Sequence, residues 1–157
     1  MTTTRQALKT LLEQTCPDWV VTYEAGRLMN TKSRQLRADD KFIYIEEFTS
    51  GKYIRRTGRP RKEMKRVQIY FCKYKSDEEP NTRDRAGAVD ASAELREAVR
   101  EEIKAQAVNP FLDAFYATDA FLDKPDEVRF AHPLPRFSDR EISIMIELDV
   151  TTNDQCR

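Results

Sequence analysis

Between Glu141 and Val150, Ile142, Ile144, Ile146, Leu148 and Val150 alternate with Ser143, Met145, Glu147 and Asp149. Five branched apolar residues at period two predict a strand with one buried face. One strand cannot bury such a face alone. It needs neighbouring strands and an apolar layer packed across them.

The remaining segments supply both. Thr3–Thr15 is predicted to be a helix: Thr3 with Gln6 forms a capping box, Leu8, Leu11 and Leu12 make one apolar stripe, and Cys16 and Pro17 end it. Trp19–Glu24 is a short strand candidate. The polar connection Ala25–Asp40, with Arg27, Lys32, Arg34 and Arg37, leads into a strand at Lys41–Phe48. That strand has Phe42, Tyr44 and Phe48 on one face and Ile43 and Ile45 on the other, so it is expected to be covered on both sides. Ser50 and Gly51 offer a turn. Arg66–Lys75 returns as a strand with Val67, Ile69 and Phe71 facing one way and Gln68, Tyr70 and Cys72 the other.

After the acidic stretch Ser76–Gly87, Asp90 is placed to cap a helix over Ala91–Ala107, whose Leu95, Ala98, Val99, Ile103 and Ala107 recur at helical spacing. Its outer face pairs Glu97 with Arg100 and Glu101 with Lys104. Asn109–Pro110 is read as a cap and first-turn pair opening a shorter helix with Phe111, Leu112, Phe115 and Tyr116. Lys124–Arg140 passes Pro125, Pro133 and Pro135, with a short strand at Val128–Phe130. Strands in runs with helices segregated between them predict an α+β fold: a mainly antiparallel sheet, helices on one face, and a long basic hairpin. A single domain over 1–157 is expected, with a projecting hairpin at about 48–66 and a flexible connection at about 76–87.

The basic character is concentrated in Lys52–Lys65, where Lys52, Arg55, Arg56, Arg59, Arg61, Lys62 and Lys65 are opposed only by Glu63. Charge is segregated more widely. Residues 24–75 hold fifteen Lys or Arg against six Asp or Glu, and residues 76–157 hold ten against nineteen, within a chain whose totals balance at 27 each. A bipolar surface follows if the two halves occupy different faces. The 34% charged content and mean hydropathy of −0.72 are high for a compact fold, which is why projections are expected.

Chemical signatures are sparse. The single histidine, His132, sits between Ala131 and Pro133 and is read as a loop residue without a catalytic task. Glu46 with Glu47, and Asp77 with Glu78 and Glu79, are the nearest approach to a metal-dependent nuclease. Adjacent strand residues point to opposite faces, however, and acidic runs sit in water. Cys16, Cys72 and Cys156 are odd in number and widely spaced, which predicts free thiols rather than disulfides or a zinc site. With four glycines and no phosphate loop, neither cofactor nor metal is expected, and the chain is read as non-enzymatic. No apolar run is long enough to span a membrane, and the N-terminus has no signal-peptide cleavage site, so a cytoplasmic origin is expected.

Two functional readings of the basic hairpin stay open beside plain solvation. It can seat on an acidic protein surface, with Tyr53 and Ile54 among its apolar contacts, or it can grip phosphate, with Tyr53 and Tyr70 stacking on bases. The group Phe111, Phe115, Phe121, Phe130 and Phe137 is read as core and loop anchors rather than a ligand pocket, with some members at an interface.

In element order the chain resembles the tail-terminator or tail-completion (head–tail joining) proteins of long-tailed bacteriophages and prophages. The resemblance covers about Thr3–Thr151. It rests on the N-terminal helix, the KFIYIEEF strand, the polar hairpin returning as KRVQIYFCKYK, the ASAELREAVREEIKAQ helix, NPFLDAFY and the closing EISIMIELDV strand. It implies a small α+β subunit of a virion tail that forms a homo-oligomeric ring, a hexamer, at the head-proximal end of the tube. That ring would stop tube growth and join tail to connector, contacting other tail or connector proteins. The arginine-rich hairpin departs from that pattern. A nucleic-acid-binding accessory protein using the same arm is the alternative.

Overall fold

In the computed structural model, the described residues are 3–23, 41–54, 62–74, 85–122, 124–133 and 141–152. The alternating segment forms β6 (Glu141–Thr152), and all five of its predicted inward residues are buried. Each such side chain removed from water contributes about 1.5–3 kcal/mol before the entropy of ordering it is charged. Its longest pairing is antiparallel with β3 (Lys62–Tyr74), an unbroken register from Lys65↔Val150 to Tyr74↔Glu141. On β3's other side lies β2 (Lys41–Ile54), also antiparallel, and beyond it β1 (Val20–Thr22), which runs parallel to β2.

Two short strands flank β6 on its outer side. β4 (Phe121–Leu122) pairs with Thr151 and Thr152, and β5 (Arg129–Ala131) pairs with Met145–Glu147. The path is β1-β2-β3-β6-β4 with β5 beside β6, a mixed and mostly antiparallel sheet in an α+β fold.

Three helices contribute to the core. α1 (Thr4–Thr15) begins at the expected capping box: Gln6 N–H donates to Thr3 Oγ1 at 3.2 Å and Thr3 N–H donates to Gln6 Oε1 at 2.9 Å. α2 (Arg85–Ile103) starts within the stretch read as a connection, so Asp90 lies inside the helix and does not cap it. Ala86, Ala88 and Val89 extend it backwards, and Gly87, though costly by about 1 kcal/mol in a helix interior, does not stop it. α3 (Asn109–Ala117) does not open at an Asn109 cap, because Asn109 is helical (φ −65, ψ −46) and continues from a π-helical turn, Lys104–Val108.

Pro110 accounts for that turn. It has no N–H for the Gln106 carbonyl four residues back, so the ladder widens, and Asn109 N–H bonds Lys104 O across five residues. Cys16 at the end of α1 donates its thiol to the Ala107 carbonyl in the same turn, at 3.7 Å. The C-terminus of α3 is held by Lys124, whose Nζ donates to the carbonyls of Tyr116 (2.8 Å) and Thr118, and by Tyr116 Oη donating to Pro125 O at 2.6 Å.

The main core joins Leu8 and Leu12 of α1, Val99 and Ile103 of α2, and Phe111 and Phe115 of α3 to Ile43, Ile45, Val67, Ile69, Phe71 and the inward residues of β6. The opposite sheet face has its own buried cluster, Phe42, Tyr44, Tyr70 and Cys72, so β2 is covered on both faces as its sequence predicts. Tyr44 and Tyr70 are direct cross-strand partners, and their rings stack at 4.5 Å between centroids.

Ser50–Gly51 does not turn the chain. β2 runs through it with a register shift: Glu47 pairs with Val67 but Gly51 with Lys65, so a step of four residues on β2 meets a step of two on β3. A glycine-containing bulge and a glycine turn draw on the same backbone freedom, and pairing past the irregularity decides for the bulge.

Two outcomes are expected. Phe111→Ala should lower the unfolding free energy by about 3–5 kcal/mol in urea titration, whereas Phe130→Ala, at an exposed site, should stay within about 0.5 kcal/mol. Cys16 and Cys72 are free and buried, and burial pushes the Cys16 thiol up, partly offset by its hydrogen bond to Thr15. A Cys156→Ser variant should therefore give no reaction with a thiol reagent when native and two equivalents when unfolded.

Candidate interaction surfaces

The residues singled out in the basic stretch fall at the far end of the β2–β3 ladder. Lys65 is the last β3 residue in register with β6, and beyond it β2 and β3 pair with each other through Gly51↔Lys65, Lys52↔Met64, Tyr53↔Glu63 and Ile54↔Lys62. The backbones of Lys52, Tyr53, Lys62 and Lys65 are thus brought together on one two-stranded ladder. The side chains of Lys52, Tyr53 and Lys62 lie outside what is described, and so do Arg55, Arg56, Arg59 and Arg61 entirely. Residues 76–84 of the connection read at about 76–87, and Phe137, also lie outside the described residues.

One cation next to this ladder is committed internally. Arg66 Nε donates to Asp149 Oδ1 at 3.0 Å and lies 3.2 Å from Glu147 Oε1 on β6. The hydrogen bond to Asp149 first, then the charges of Asp149 and Glu147, hold this guanidinium in its charged form. The pair is largely solvated, so its role is to fix side chains at the β3–β6 register rather than to stabilise the fold much.

An acidic ridge follows the outer face of α2. Glu94, Glu97 and Glu101, at helical spacing, are exposed, with Glu102 beside them. Arg100 lies 3.5 Å from Glu97 and Lys104 3.1 Å from Glu101, the two pairs expected from sequence, and Lys73 on β3 reaches Glu102 at 2.7 Å. Surface pairs three residues apart contribute only about 0.2–0.5 kcal/mol each, so these carboxylates remain able to take other cations.

Among the described residues no group of three or more His, Cys, Asp or Glu could hold a metal ion. His132 is exposed, its ring 5.8 Å from that of Phe130. Of the phenylalanines read as anchors, Phe111, Phe115 and Phe121 are buried in the main core, but Phe130 on β5 is 65% exposed. At the other end of the sheet Val20 on β1 is 63% exposed. Sequence reasoning missed Val20 as a surface feature, and it expected some members of the phenylalanine group at an interface without singling out Phe130. The doublet Val20–Val21 carried a signal, since adjacent strand residues face opposite ways and only one of the two can point toward the main core. Phe130 carried none, because a three-residue strand has no periodicity.

Compared with known families and proteins, the chain matches no family model and no curated protein sequence. What the structure shows is an α+β fold in which the β2–β3 ladder leads into the stretch that is basic in sequence, the outer face of α2 exposes several glutamates, and the short strands β1 and β5 each carry an exposed apolar side chain. Among the described residues no helix is long and apolar enough to cross a membrane.

If the Arg66 contacts align side chains without carrying the fold, Arg66→Ala should shift the urea midpoint only slightly. Ile69→Ala, three residues along β3 on its opposite face and fully buried, should cost about 2–5 kcal/mol. Equal losses would mean that the ion pair is structural.

Proposed function

We propose that the chain is a non-enzymatic structural subunit of a phage or prophage tail. It assembles into a homo-oligomeric ring, a hexamer, that ends the tail tube and joins it to the head connector. The observation that carries this reading is the acidic ridge on α2: Glu94, Glu97 and Glu101 stand exposed on the same chain that holds the arginine-rich segment between β2 and β3. A head-to-tail contact needs two different, complementary patches on each subunit, and these two have opposite charge. The order of α1, the β2–β3 ladder, α2, α3 and β6 is in keeping with the resemblance to tail-terminator and tail-completion proteins.

Charge across such a contact steers the encounter and fixes register, while buried apolar groups supply most of the affinity. The subunit is made in the cytoplasm and ends in the virion tail. Its partners are its own copies and the adjoining tail or connector proteins.

Light scattering after size exclusion tests the reading. The wild type should show a closed oligomer, or a monomer that closes on concentration, with lower mass at high salt, where the screening length falls to about 3 Å at 1 M. Replacing Arg55, Arg56, Arg59 and Arg61 by Glu should leave a monomer at low salt. An unchanged oligomer would end the hairpin-to-ridge docking. A monomer that binds duplexes of unrelated sequence, with affinity falling steeply in salt, would mean that the arm serves nucleic acid instead.

A further inference from the structure

We draw no further inference here: the strongest candidate, the pair of short edge strands β1 and β5 with exposed Val20 and Phe130, carries nothing, because their registers set the two side chains on opposite faces of the sheet and nothing among the described residues shows what covers either.

Discussion

The β3–β6 ladder is the interaction on which the rest depends. It aligns Val67, Ile69 and Phe71 with Leu148, Ile146 and Ile144, so that two adjacent strands present one continuous branched apolar surface. A slip of one residue would turn each of these side chains to the other face, where β3 and β6 carry Arg66, Gln68, Glu147 and Asp149. The register is thus enforced twice, by apolar burial on one face and by Arg66 meeting Asp149 and Glu147 on the other. Burial carries the larger share of the energy, because the ion pairs are solvated.

The helical layer is adapted to this surface through an irregularity. A straight helix from Arg85 to Ala117 would have needed a donor that Pro110 lacks, and the π turn at Lys104–Val108 resolves the conflict without ending the helix. Widening the ladder rotates the residues that follow it. In the resulting arrangement Ile103, Ala107, Phe111 and Phe115 are all buried in the same core. The Cys16 thiol, bonded to Ala107 O, ties the end of α1 to the turn through a weak donor on a buried carbonyl.

Much of this was legible because long elements repeat their pattern. β6, β3 and the two-sided β2 follow from period two, and α1 from its capping box and leucine stripe. Among the elements of two or three residues, β1 and β5 fall where strands were expected at Trp19–Glu24 and Val128–Phe130, whereas β4 was not expected, since two residues have no alternation to read. The direction of β1 was equally hidden, because parallel pairing depends on a distant partner. Local rules also met competing ones: Ser50–Gly51 suits a turn or a bulge, Asn109–Pro110 a cap or a π turn, and long-range packing chose between them. The candidate surfaces were half legible. The basic stretch and the acidic helix are written in charge, whereas the exposure of Phe130 depends on its falling at the end of a sheet.

That division bears on how such a subunit could assemble. Charges read from sequence are the long-range part of recognition, and at physiological salt they act over about 8 Å and orient an approach. They add little to residence time when solvated. Apolar side chains at sheet edges act only on contact, but once covered they resist separation, and the backbone groups beside them fix the angle between neighbours. A ring must satisfy both demands at every junction, because a small angular error repeated around it prevents closure. In the proposed ring, the charged arm would therefore serve the encounter, and packed contacts at each junction would have to set the angle.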